Sequence, residues 1–274
     1  MKRILSILLI ALMMCEVAVA KEPIEIKAIS YNIRTIARDG DNNWENRRHA
    51  TRNMLNRHNP DLFGLQEAMK PHLKYLDKFF PQYSRVGVGR DDGKMQGELS
   101  PIIYKRDKFK ILASGMFWIS ENPDRVGVKG WDAALPRICT YAHLKDRVTG
   151  AKFWFFSLHM DHIGVEARRE GAKLIARKIT QMCGNEPAMV SGDFNVDQNN
   201  EAYKTIVSQG VLTDSFDKAE KRYNYTGTFN SFNPNLFTES RIDHIFVSPH
   251  FRTHEYAVLT YSYWSQEQKA KSRR

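Results

Sequence analysis

Residues 24–33 read IEIKAISYNI. Apolar and polar residues alternate up to Asn32, the period-two pattern of a strand that runs to a polar edge. Outward from this stretch the same arrangement returns. The run DLFGLQ (61–66) stops at Glu67, Phe153–Leu158 stops at His159, and Ala188–Gly192 stops at Asp193-Phe194-Asn195. The run Ile242–Val247 carries Asp243 and His244 at its start. Ile102–Tyr104, Ile111–Ile119, Ile138–Leu144 and Tyr256–Tyr261 read as further strands. Helical patterns are fewer. Asn46–His58 is charged, helix-compatible and stopped by Asn59-Pro60. Pro71–Phe80 sets Leu73, Leu76 and Phe80 at helical spacing, with Pro71 suited to a first turn. Val165–Met182 places Ala167, Gly171, Leu174, Ile175, Ile179 and Met182 on one stripe before Gly184. Many strands with few intervening helices favour an α/β fold of two packed sheets, helices outside, over a doubly wound parallel sheet.

The chemistry sits where the strands stop. Taken singly, each polar end has an ordinary explanation: Asn32 as a turn residue, Glu67 in a surface ion pair, Asp193 in an Asx turn. Taken together, one sheet edge would gather them into a single polar cleft. Oxygen donors from Glu, Asp and Asn suit magnesium or manganese, hard cations that keep several waters. Such an ion beside histidines and amides points to attack at phosphorus, which needs charge neutralisation, an activated water and an oriented leaving group. The chain has no His-Glu-x-x-His run, no paired-Cys motif, no Gly-x-Ser-x-Gly elbow and no Walker loop, so zinc proteases, serine-elbow hydrolases and P-loop enzymes find no support.

Composition sets the frame. Of 274 residues, 42% are hydrophobic and 26% charged, a globular balance, and without a linker, repeat or low-complexity block one domain is expected. Three cysteines rule out a disulfide-dense scaffold. The net charge is +10, but Lys269, Lys271, Arg273 and Arg274 hold four of those charges in the last six residues. That tail reads as a solvated end, and the modest excess elsewhere does not define a nucleic-acid-binding protein. Arg34, Arg38, Arg47 and Arg48 surround the loop Asp39-Gly40-Asp41-Asn42-Asn43-Trp44, which either selects an anionic, sugar-containing substrate or is simply solvated. Trp44, Trp131, Phe229 and Phe232 are candidates either for lining a cleft or for filling the core.

Residues 1–20 form a secretory leader by pattern. Lys2 and Arg3 precede the apolar run Ile4–Met14, and Ala18-Val19-Ala20 supplies a small-x-small cleavage site. The run is shorter than the roughly 20 residues that span a bilayer. Cys15 follows Met13 and Met14 rather than the small residues a lipidation site wants, so a lipid anchor is disfavoured. The expectation is a secreted or periplasmic protein of residues 21–274 with no transmembrane span. It keeps Cys139 and Cys183, whose pairing the sequence leaves open.

Eight stretches then carry a resemblance: SYNIR (30–34), LQE (65–67), ELSPIIYKRDKF (98–109), GWDAALPR (130–137), SLHMDHIGVEARRE (157–170), GDFN (192–195), GTFNSF (227–232) and RIDHIFVS (241–248). Jointly and in this order the chain resembles the endonuclease/exonuclease/phosphatase superfamily with the deoxyribonuclease I-like fold. It is most similar to secreted bacterial members, which resemble the nocturnin-type deadenylase branch. The resemblance implies a four-layered α/β sandwich, two packed mixed sheets with helices on the outer faces, and magnesium-dependent (or manganese-dependent) hydrolysis of phosphoric esters. It implies Glu67 as principal metal ligand assisted by Asn32. It further implies Asp193 orienting or activating water, Asn195 holding a phosphate oxygen, His159 polarising the scissile phosphate, and Asp243 orienting a later histidine. Arg137, Tyr104, Asp161 and His162 follow as substrate-binding candidates. Against this, Tyr104 also reads as a packed strand residue, Arg137 as a surface ion pair, and Asp161 with His162 as a loop hydrogen-bonding pair. The substrate expected is a phosphorylated small molecule, a sugar phosphate or a phosphodiester, with nucleic acid not favoured.

One departure stands out. The superfamily closes on Ser-Asp-His, and TYSYWSQEQKAKSRR (260–274) holds none. The chain therefore reads as short of its last strand, with Asp243 lacking its imidazole and a neighbouring strand left with an unpaired edge. His162 or His244 could fill that role instead. The alternative function is a catalytically impaired binding protein that keeps the phosphate cleft.

Overall fold

The computed structural model describes residues 23–37 and 40–264; the leader, Cys15, Arg38, Asp39 and the basic tail lie outside them. In chain order come β1 (Ala28–Asn32), α1 (Trp44–His58), β2 (Leu62–Gln66), α2 (Lys70–Phe79), β3 (Tyr83–Val86), β4 (Ile102–Lys105), β5 (Phe109–Trp118), β6 (Ile138–Asp146) and β7 (Lys152–His159). They are followed by α3 (Val165–Cys183), β8 (Ala188–Asp193), α4 (Glu201–Ser208), β9 (Thr213–Asp214), α5 (Ser215–Lys218), β10 (Lys221–Tyr223), β11 (Asp243–Val247) and β12 (Glu255–Ala257). The first four strands make one sheet in the order β1-β2-β4-β3. A six-stranded sheet follows in the order β5-β6-β7-β8-β11-β9, and β10 pairs with β12 in a small ribbon. Both large sheets are mixed: β1 runs parallel to β2 and β7 parallel to β8, while the other pairs within them are antiparallel.

Three apolar layers explain the stacking. Trp44, Leu55, Leu73, Leu76 and Phe80 pack α1 and α2 on the small sheet through Phe63, Leu65 and Ile103. Leu62, Ile102, Phe109, Phe153, Phe155 and Val247 fill the space between the sheets. Leu174, Ile175 and Ile179 of α3 and Ile206 of α4 cover the large sheet over Phe156, Val190 and Phe246. All five residues of β2 are buried, because a strand covered on both faces has no polar side to show. The result is the four-layered α/β sandwich expected from the sequence.

Glycine is required at one point of contact between the sheets. A Cβ on Gly64 of β2 would stand 2.5 Å from Ser191 Oγ and 2.6 Å from Ser157 Oγ. The bare backbone lets β2 lie against β7 and β8 just before the strands open into their polar ends.

The structure trims some expected elements. The ladder of β1 begins only at Ala28, while Ile24 and Ile26 pack as an extended lead-in against the inter-sheet core. The strand expected at Tyr256–Tyr261 is three residues long. Strand β3 and helix α4 were not expected. Among the described residues β1 pairs with β2 alone, and no helix is long and apolar enough to cross a membrane. Cys139 and Cys183 are both buried free thiols.

Candidate active site

The parallel pairs bring polar strand ends level with one another. Asn32 lies opposite Gln66 across β1 and β2, and Glu67 follows at once. In the other sheet His159 lies opposite Asp193, which in turn faces Asp243 across β8 and β11. The two sets meet through one amide. Asn32 Nδ2 donates to Glu67 Oε1 and to Asp193 Oδ2, each at 2.9 Å. Its oxygen accepts the Arg34 N–H at 2.9 Å, which fixes the N–H end toward the carboxylates. Asn32 thus presents donors rather than a ligand oxygen to the centre and ties the two carboxylates together.

Glu67 adopts a left-handed backbone, φ 57°, and its other oxygen accepts the Thr35 N–H at 2.7 Å with Arg34 Nη1 3.7 Å away. Asp193 accepts the Asn195 N–H at 2.9 Å. Burial lifts the Asp193 carboxyl above its ordinary range; the hydrogen bonds from Asn32 and Asn195 pull it back and the Glu67 charge adds to the lift. Asp243 is pushed well above the usual carboxylate range by burial and by Asp193. Its backbone N–H donates to Thr228 Oγ1 at 3.0 Å.

His159 and Asn195 form the opposite wall. Asn195 Nδ2 donates to the Met160 carbonyl at 2.9 Å and faces His159 Nε2 at 3.1 Å, and Asp193 Oδ2 is 3.8 Å from the same nitrogen. Burial, aided by the Arg137 and Arg90 charges, holds His159 well below the usual imidazole range, so the ring is neutral and its contact with Asp193 is not an ion pair.

Arg137 is buried against Asp161, Nε to Oδ2 at 3.1 Å, and its Nη2 donates to His162 Nδ1 at 2.8 Å. Asp161 also accepts the N–H groups of Leu135, Ile163 and Gly164 at 3.3, 2.9 and 2.8 Å. Burial works to raise its pKa, but these bonds hold it well below the usual carboxylate range. Asp161 is therefore engaged on both oxygens, clamps two loops and aims Arg137. Tyr104 is not brought to the site. It pairs with Leu62 at the opposite end of β2 from Glu67 and packs on the inter-sheet core. His244 points away from Asp243, as strand alternation requires; its ring nitrogens face Val196 O at 3.0 Å and Asp214 at 3.4 Å.

Two residues join the site that the sequence did not single out. Arg90 donates to Glu98 at 2.7 Å, and with Ser100, Arg137, Ile138 and His159 they line a small recess. Arg90 Nε, Arg137 Nη1 and His159 Nδ1 are all buried there without a hydrogen bond. Glu98 stands in the stretch 98–109, and its position before a strand was the available signal. Arg47 and Trp44 do not serve as substrate contacts: Trp44 is core, and buried Arg47 donates to the carbonyls of Ile33 and Asn42.

Among the described residues no three His, Cys, Asp or Glu side chains converge on a metal position. Magnesium asks for less, since one or two carboxylates suffice and waters and phosphate complete its shell. Glu67 and Asp193, linked by one amide and carrying like charges that a dication would relieve, fit that demand.

Acidic strand ends, a neutral buried imidazole and an aimed guanidinium between two sheets are the equipment of a phosphoesterase-type hydrolase. The sequence model of the Endonuclease/Exonuclease/phosphatase family matches residues 29–262, and the chain belongs to that family. A solved Bacteroides thetaiotaomicron protein of the same family is 49% identical, with TM-score 0.85 over 88% of this chain and 90% of that one. A mannosyl-6-phosphatase of Bacteroides thetaiotaomicron is also 49% identical, with TM-score 0.84 over 87% of this chain and 91% of that one. An uncharacterised protein of Acanthamoeba polyphaga mimivirus is 26% identical over 233 residues, 80% of this chain and 85% of its own length.

Proposed function

We propose that this protein is a magnesium-dependent phosphatase of phosphorylated sugars acting outside the cytoplasm. The observation that carries the reading is the pair Glu67 and Asp193, joined across the two sheets by Asn32 beside neutral His159. The mannosyl-6-phosphatase at 49% identity supports a sugar monoester as the substrate.

Glu67 and Asp193 would hold the ion, which when bound supplies charge neutralisation on the phosphoryl oxygens. Asp193, aimed by the hydrogen bonds from Asn32 and from the Asn195 N–H, is placed to orient the attacking water. Asn195 holds His159 through an N–H donated to Nε2, and Arg137, fixed by Asp161, presents an unpartnered Nη1 suited to an anionic oxygen.

Phosphate release from mannose 6-phosphate, with and without chelator, tests the activity. Glu67→Gln keeps the shape and removes one charge, and it should weaken magnesium binding in calorimetry at least tenfold with little change in melting temperature. Unaltered magnesium affinity would remove Glu67 from the ligand set. Export rests on Lys2, Arg3, the apolar run and Ala18-Val19-Ala20. The N-terminus of protein recovered from the envelope or medium should be Lys21, and recovery of Met1 there would refute cleavage.

A second reading, ligand binding without turnover, is favoured by one feature. Asp243 faces Asp193 and Thr228, and neither His162 nor His244 is turned to it. Mannose 6-phosphate binding without phosphate release would select this reading.

A further inference from the structure

The segment from Thr228 to Phe232 runs from one wall of the site to the other. At one end Thr228 Oγ1 accepts the N–H groups of Ile242 and Asp243, each at 3.0 Å. At the other, the Phe232 ring faces the Arg47 guanidinium, 5.5 Å from its centroid. Arg47 is pinned to the carbonyl of Ile33, next to Asn32, at 2.8 Å. Despite these anchors Phe232 is 39% exposed and Phe229 58%. Ser231 and Phe232 take consecutive left-handed conformations, φ 50° and 59°, which non-glycine residues adopt only under constraint. The turn is closed by Asn230, whose Oδ1 accepts the Phe232 N–H at 3.1 Å and whose carbonyl accepts the Asn233 N–H at 2.8 Å. Rings that add nothing to the core, held facing water in a strained turn beside a reaction centre, are surface kept for a ligand.

We infer that Phe229 and Phe232 form a stacking platform for the sugar ring of the substrate, selecting it over phosphomonoesters without a ring. This rests on the phosphatase reading above. A hexose offers a flat C–H face to an aromatic ring and hydroxyls at its edge. Asn230 and Asn233, exposed and next to the two rings in the chain, use their side-chain oxygens to close the turn, which leaves their amide N–H groups to meet such hydroxyls. With the phosphate at the ion held by Glu67 and Asp193, the rest of the ester would extend over this rim, whose ends are tied to the Asp243 backbone and, through Arg47, to the Ile33 carbonyl.

Calorimetry and phosphate release on the full chain, with mannose 6-phosphate, glycerol phosphate and adenosine 5′-monophosphate, test this. The parent should bind mannose 6-phosphate at least tenfold more tightly than glycerol phosphate. Phe232→Ala should shrink that ratio about tenfold, chiefly through KM, and Phe232→Tyr should restore it; Phe229→Ala serves should the first variant misfold. No sugar preference in the parent, a ratio that survives both alanine variants, an equal loss on both esters, or a preference for the nucleotide would each overturn the platform. Failure of the hydrolase reading is distinguishable: no ester would release phosphate, while the binding ratio would still report on Phe232.

Discussion

Asp161 illustrates how one side chain can be essential to a site without touching a substrate. Its two oxygens receive three backbone N–H groups and the Arg137 guanidinium. Removing its charge takes from buried Arg137 the carboxylate it is hydrogen-bonded to, a change that costs about 3–5 kcal/mol. Asp161→Asn should lower the melting temperature by roughly 10 °C and reduce kcat further than the stability loss alone explains; a fall in stability with kcat preserved would show that Arg137 does not act on substrate. His72 gives a second test at this scale. Its Nδ1 accepts the Met69 N–H, Trp44 packs edge-on at 4.4 Å, and burial, with the Arg47 charge, lowers its pKa to about 4. Unfolded, the ring takes up a proton below about pH 6.5. Between those values the unfolded chain binds more protons, so stability present above pH 6.5 is lost as pH falls toward 4, by up to about 3 kcal/mol. Urea midpoints measured across this window should fall less steeply in His72→Gln, and identical slopes would assign the loss to other groups.

At the scale of elements, β2 carries the most consequence per residue. Gly64→Ala would drive a methyl group into Ser157 and Ser191, with a cost of roughly 1–3 kcal/mol for overpacking. Because Glu67 lies three residues further along, kcat should also fall; a variant as stable as the parent would show that the sheets have room to part. Such ends are legible in the sequence because an apolar run that stops at a polar residue marks both a strand and the edge where it opens. Hence Asn32, Glu67, His159, Asp193 and Asp243 group together on sequence pattern alone. Tyr104 is not legible in the same way, since a strand pattern does not say which end of the sheet a residue occupies, and register places it opposite Leu62. Arg90 lies in a loop with no periodicity, and only folding buries it against Glu98. The clamp made by Asp161 is hidden too, because its partners are mainly backbone groups, one of them in a loop some 26 residues away.

The whole molecule is ordered along the chain in a simple way. Every strand of the small sheet precedes Asp107, and every strand of the large sheet follows it. Asn32 and Glu67 therefore come from the first stretch, and His159, Asp193, Asn195 and Asp243 from the second. The inter-sheet core, with Leu62 and Ile102 from one side and Phe153, Phe155 and Val247 from the other, is what keeps the two contributions at hydrogen-bond distance. A nick in the turn at Arg106–Asp107 would divide the centre as cleanly as it divides the chain. Each fragment would own only part of the candidate site, and any turnover would become a titration of how many fragments had found their partners.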